Sequence, residues 1–248
     1  MEQNNYFLDH MEDLAEKALK AGNAASRFLT PAQAQSVREY FKYKDTVFSF
    51  DGGYEDAERV RALFLNPDWG QYDRADLFTA LKIEFRRQET LGHRDILGAL
   101  MALGIERSCI GDIICGDSFT AVLCVPEMGA YISENFTKAG RVGVKASVTG
   151  LDELIIEREE PQIKTAAVAS LRLDAVLSAA FALSRSNTSE LIAANKVSLN
   201  HLPCIQPAKE VNENDLISVR GFGRAKLLEV GGTSRKGRVF LRFGVYGR

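Results

Sequence analysis

Histidine, tryptophan and paired cysteine are scarce in this chain, with 3 His, 1 Trp and 4 Cys among 248 residues. The cysteines stand at 109, 115, 124 and 204, with no C-x-x-C pair and no histidine at zinc spacing. That pattern argues against a metal finger or a disulfide framework, and no cofactor or metal is expected. Cys109, Cys115 and Cys124 lie in apolar, strand-like sequence and are expected to be buried free thiols of a reducing cytoplasm. No apolar run approaches the ~18 residues of a membrane span. The opening MEQNNYFLDHMEDLAEKALKAG is polar and acidic, which predicts no signal peptide and a cytoplasmic protein. Glycine-rich phosphate loops are also missing. GGTSRKGR offers Gly237-Arg238-Val239 where such a loop needs Gly-Lys-Ser/Thr, and GFG at 221–223 lacks a third glycine. His93-Arg94-Asp95 copies the first letters of a kinase catalytic loop without its partner motifs, and reads as a helix start. No catalytic residue is assigned.

What is present is ordinary in bulk and uneven in charge. Hydrophobic residues make up 46% and charged residues 26%, enough for a globular chain with a real core. Residues 161–248 carry 13 Lys+Arg against 6 Asp+Glu, and the preceding 160 residues carry 18 against 27. A net charge of −2 therefore conceals +7 in the last third and −9 before it. A basic tail behind an acidic body points to a polyanionic partner, nucleic acid first.

Periodicity predicts an α+β multidomain chain. Residues 1–70 read as a mainly helical domain: Leu14, Ala18 and Ala21 share a helix face, a second helix starts at Pro31, TVFSF (46–50) is a short strand, and EDAERVRALF restarts a helix. Trp69, beside Pro67 in a loop, is expected to be a packing plug. Residues 71–152 change rhythm. LFTALKIEF alternates, HRDILGALMALGI carries an apolar helical stripe, IGDIIC and FTAVLCV form a hairpin, EMGAYISENFTKAG is a helix and RVGVKASV a strand. The order β-α-β-β-α-β is the split ferredoxin-like unit. Its central FTAVLCV, with Thr, Val and Cys at its outward positions depending on register, lacks the basic-aromatic pattern that stacks bases. It reads as scaffold or protein-binding surface. Residues 153–168 form an extended connector and 169–248 a small α+β domain with a basic tail.

The chemistry concentrates in that last domain. Helix starts attract phosphate through unpaired amides and a partial positive charge. One such start carries Ser184, Arg185, Ser186, Thr188 and Ser189, capped by Ser184 or by Asn187; Arg172 precedes the other. In KVSLN, Val197 and Leu199 are expected inside, and Lys196, Ser198 and Asn200 outside. Lys209, Arg220, Arg224, Lys226, Arg235, Lys236, Arg238 and Arg242 extend the expected RNA contacts. Such contacts position a backbone and weaken with salt. The competing readings are ordinary capping residues and a solvated basic hairpin. His93, Arg94 and Asp95 form a candidate partner or RNA contact at an exposed helix start.

R-L-D at 172–174, Leu177, S-R-S at 184–186, L-I at 191–192, K-V-S-L-N at 196–200 and N-D-L-I-S-V at 214–219 resemble the S-four domain, a small RNA-binding fold. Asn195 stands where many such domains have glycine, and Asn tolerates the left-handed turn. LGHRDILGALMALGIERSCIGDII (91–114) and the ending RGFGRAKLLEVGGTSRKGRVFLRFGVYG resemble the bacterial YlmH family. That family joins an N-terminal domain, an RRM-like middle domain and a C-terminal S-four domain. The resemblance implies binding to structured RNA, ribosomal RNA or tRNA, on the large ribosomal subunit, and rescue of stalled subunits that hold peptidyl-tRNA. It implies a binding protein rather than an enzyme. The alternatives are an RNA-modifying enzyme of pseudouridine-synthase type, or an adaptor for cell-division proteins acting through residues 1–150.

Overall fold

The computed structural model describes residues 2–55, 57–86, 89, 91–116, 119–153 and 161–247. The chain divides into two compact units, Met1–Glu157 and Arg158–Arg248, each with its own interior.

The first unit opens with α1 (Glu2–Ala21), β1 (Asn23–Leu29), α2 (Pro31–Phe41), β2 (Val47–Asp51) and β3 (Val60–Leu65). Helix α2 starts where the sequence dictates. Thr30 accepts from the Gln33 amide, Gln33 returns a bond to the Thr30 amide, and Pro31 fills the first helical position. On α1, Met11 and Ala18 are buried, whereas Ala21, expected on the same face, is exposed. Two expectations fail here. EDAERVRALF does not restart a helix, because Val60–Leu65 is the central strand of an antiparallel sheet ordered β1-β3-β2. Asn23–Leu29 is likewise a strand that periodicity missed. Trp69 lays its ring over Gly22, where a Cβ would sit 2.4 Å from Trp69 Cζ3, while the residue stays 58% exposed.

The same unit continues with α3 (Arg74–Leu77), β4 (Thr79–Glu84), α4 (His93–Ala102), β5 (Ile110–Cys115), β6 (Phe119–Cys124), α5 (Pro126–Asn135), β7 (Lys138–Ala139), β8 (Val142–Gly143) and β9 (Lys145–Thr149). Strands β5-β6-β4-β9 form a four-stranded antiparallel sheet in the β-α-β-β-α-β order. Helix α5 is ten residues long rather than running through FTKAG, since Lys138–Ala139 turns back at Gly140 to pair with Val142–Gly143. Alternation on β6 also differs from expectation. Thr120, Val122 and Cys124 are fully buried and lie on the side of Thr79, against which Gly129 of α5 packs. The face away from the helices carries Phe119, Ala121 and Leu123.

That second face is partly roofed by the first sheet. Phe28 and Leu63 belong to the same apolar cluster as Leu81, Val122 and Leu123. A Cβ on Gly111 would meet the Phe28 ring at 2.6 Å, and one on Gly53 would meet Leu123 at 3.3 Å. Polar clasps fasten the two sheets. Arg59 donates from Nε to the Ile110 carbonyl at 3.1 Å and from Nη2 to the Phe28 carbonyl at 3.1 Å. Asp112 accepts from the Tyr54 hydroxyl at 2.7 Å and from the Glu58 amide at 2.7 Å. Burial lowers the Arg59 guanidinium to about 10, with Arg107 adding to the effect and Asp112 opposing it. Cys109 and Cys124 are buried, and burial pushes the Cys124 thiol up to about 12. Cys115 is exposed, contrary to expectation, because it ends β5 at the hairpin.

In the second unit, β10 (Gln162–Val168), α6 (Leu173–Phe181), α7 (Arg185–Ala193), β11 (Val197–Leu199), β12 (Leu202–Pro203), β13 (Leu216–Val219), β14 (Gly223–Thr233) and β15 (Val239–Tyr246) build one sheet ordered β10-β15-β14-β13-β11-β12. The second half of the expected connector is thus the edge strand β10; residues 154–160 lie outside the described residues. Leu173, Val176, Leu177 and Ala180, the i, i+3, i+4, i+7 set on α6, are all fully buried. They pack with Ile192, Val197, Ile217, Ala225, Leu227, Leu241 and Phe243 in a single core beneath the helices.

Candidate nucleic-acid interface

Helix α7 is capped by Ser184, whose Oγ accepts from the Asn187 amide at 3.2 Å. Its hydroxyls are partly committed: Ser184 and Ser186 lie 3.0 Å apart, and the buried Thr188 donates to the Ser184 carbonyl at 2.9 Å. Arg185 and Ser189 in its first turns stay exposed. The start of α6 is different. The Leu173 amide donates to the Lys209 carbonyl at 2.8 Å and the Asp174 amide to the Pro207 carbonyl at 3.1 Å. The chain itself therefore satisfies those amides, and of the two expected phosphate-facing helix starts only that of α7 is open. Lys209 serves through its backbone; its side chain is exposed.

Arg172 grips the carboxylate of Asp174 with both arms of its fork, Nε to Oδ1 at 3.1 Å and Nη2 to Oδ2 at 2.6 Å. That hydrogen bond holds the Asp174 carboxyl below its ordinary range, with the Ala175 amide and the Arg172 and Arg185 charges helping. Arg172 just before α6, Asp174 and Ser178 from α6, Arg185 and Ser189 from α7, and Arg238 line one groove of about 610 Å³, floored by the end of β10. Arg238 is set by a closed turn, its amide donating to Ser234 Oγ at 3.0 Å, with Gly237 at φ +73°. Three guanidinium groups thus converge where, among the described lining residues, one acid stands, and that acid is already paired.

The other expected residues fall elsewhere. Asn195 adopts φ +54°, the expected left-handed turn, and delivers Lys196 to the far end of α7, about 13 Å from Arg185 on a helix rise of 1.5 Å per residue. There the Lys196 carbonyl accepts from the Arg220 amide at 2.9 Å, which makes these two cations neighbours. Val197, Leu199, Ala225, Leu241 and Phe243 point into the core, so Ser198, Arg224, Lys226 and Arg242 lie on the sheet face opposite the helices. The single face expected from the sequence is therefore divided between the two sides of the sheet. Asn200 is a turn residue at φ +50°: its amide group donates to Asp215 Oδ1 at 2.7 Å and its carbonyl oxygen accepts from the Leu216 amide at 2.9 Å. Arg235 and Lys236 are exposed at the tip of the β14–β15 hairpin. In the first unit, His93 and Arg94 are exposed at the start of α4, while Asp95 accepts from the Gly92 amide at 3.0 Å. Sequence reasoning missed Asp174 as a groove residue; its spacing of two from Arg172, in R-L-D, was the available signal.

Comparison with known proteins adds three findings. A family described as "Putative RNA-binding domain in YlmH" matches residues 78–153. The curated "Ribosome-associated protein quality control protein P2" of Bacillus subtilis (strain 168) is 30% identical over 211 residues, covering 84% of this chain and 82% of that protein. The solved structure "Cell division protein ylmH from Streptococcus pneumoniae" superposes with a TM-score of 0.52 at 21% identity, over 62% of this chain and 94% of that one, a likeness of fold.

Proposed function

Since the chain belongs to the YlmH family, we propose that it is a non-enzymatic RNA-binding protein that engages structured RNA, ribosomal RNA or tRNA, on the large ribosomal subunit during quality control of stalled translation. The observation that carries the reading is the groove in which Arg172, Arg185 and Arg238 converge beside the open start of α7. Guanidinium forks match phosphate oxygens, and a helix start adds amides and a partial positive charge. The relative's role in ribosome-associated quality control supports the ribosome as the place where that groove meets RNA. The chain's excess of acids lies in residues 1–160, which supports the basic second unit as a place of RNA contact beside residues 78–153, the stretch that the RNA-binding family matches.

Co-sedimentation of the full chain with ribosomes across a salt series tests this. An Arg185→Glu, Arg238→Glu variant is expected to lose ribosome association at salt concentrations where the unaltered chain still binds. The log–log salt slope should flatten by roughly one unit for each phosphate no longer neutralised. Association and slope unchanged in that variant would overturn the assignment of the groove.

A further inference from the structure

The face of the second unit's sheet that lies opposite α6 and α7 carries its own chemistry. Along β15, Leu241 and Phe243 point into the core, so Phe240, Arg242, Gly244 and Tyr246 point the other way. Phe240 is 52% exposed and stands beside small neighbours, Ala167 across the ladder and Gly231, whose added Cβ would lie 3.5 Å from that of Phe240. Tyr246 lies six residues along the same strand, about 20 Å away at the strand rise, with the Arg224 guanidinium 5.9 Å from its ring centroid. Arg242 sits between the two rings, and Ser218 and Ser198 continue the Arg224 row across the sheet. Glu229 reaches Arg242 at 3.6 Å, but both side chains are more than half exposed, a pairing that a phosphate readily replaces.

Between Arg242 and Tyr246 the face is covered over Gly244 by Pro161 and Leu228, with Ile163 exposed beside them, so rings and guanidinium groups flank an apolar middle. Rings beside guanidinium groups suit single-stranded nucleic acid, whose bases stack on the rings while its phosphates meet the cations. We infer that this face is a second nucleic-acid surface, which takes unpaired RNA by stacking bases on Phe240 and Tyr246 while Arg224 and Arg242 meet the backbone. It extends the RNA-binding reading above and rests on that reading for its class of ligand. The two surfaces lie on opposite sides of one sheet, so the unit can hold a folded element in the groove and a single strand on the open face at once.

The test measures binding of a labelled 12-nucleotide oligouridine to the full chain by fluorescence anisotropy, beside the ribosome assay. Phe240→Ala is expected to weaken oligouridine binding at least fivefold, the loss of one stacked base, and Phe240→Trp to keep it. Arg185→Glu, Arg238→Glu should weaken ribosome association while leaving most oligouridine affinity. Equal oligouridine affinity in the unaltered chain and in Phe240→Ala overturns the inference, even if ribosome association falls, since that result would mark the face as a protein or duplex contact. Failure of the unaltered chain to bind either probe would overturn the RNA-binding reading itself.

Discussion

At the scale of single residues, the groove is governed by one acid. Asp174 engages Arg172 with two hydrogen bonds, at 3.1 Å and 2.6 Å, and so competes with a ligand for one of the three guanidinium groups. Its carboxyl is held below the ordinary range by Arg172, so the pair is intact at neutral pH and is lost only as pH falls through that depressed value. Asp174→Asn should free Arg172 at every pH. The expected outcome is tighter RNA binding at neutral pH with a salt slope steeper by about one unit, read by anisotropy over a salt series. An unchanged slope would show that Arg172 takes no part. Asn195 makes a related point about legibility. Its left-handed turn was expected from the S-four resemblance, whose glycine at that place Asn can follow because it tolerates positive φ better than most side chains. The engagement of Asn200 by Asp215 was not, because it joins residues fifteen apart across a turn.

At the scale of elements, helices with strong local signals were legible and strands with weak ones were not. The start of α2 at Pro31, the apolar stripe of α4 and the alternation of β4 each follow from spacing within a few residues. Strand β3 failed as a reading because it is buried on both faces, so its run VRALFL shows no alternation, and a short apolar run fits helix and strand alike. Strand β1, NAASRFL, is poor in β-branched residues and is held by pairing with β3 rather than by its own propensity. The same long-range cause hid the cover over β6. Gly111 is the contact that permits it, leaving room for the Phe28 ring. Gly111→Ala is therefore expected to destabilise the first unit by about 1–3 kcal/mol, the usual cost of overfilling a packed interior, seen as a lower urea midpoint with an unchanged slope. A midpoint equal to that of the unaltered chain would mean the two sheets part easily.

At the scale of the whole molecule, the two units have separate interiors and unequal chemistry. The cations expected from the charge imbalance do gather in the second unit, yet they serve two sides of a sheet, a division that residue counts cannot show. Within the first unit the situation is reversed, since two sheets share one interior. A fragment of residues 78–153, the stretch matched by the RNA-binding family, would lack Phe28 and Leu63 and bare the apolar side of β6. Such a fragment is expected to bind a hydrophobic dye and to aggregate, whereas residues 2–153 should stay monomeric by size-exclusion chromatography. A monodisperse 78–153 fragment that leaves the dye dark would contradict this.

The roof that Phe28 lays over β6 also bears on how such chains can be rearranged by recombination. A crossover entering at residue 78 would join a new upstream segment to half of a hydrophobic seam, so only an incoming segment with a matching ring at that place would fold.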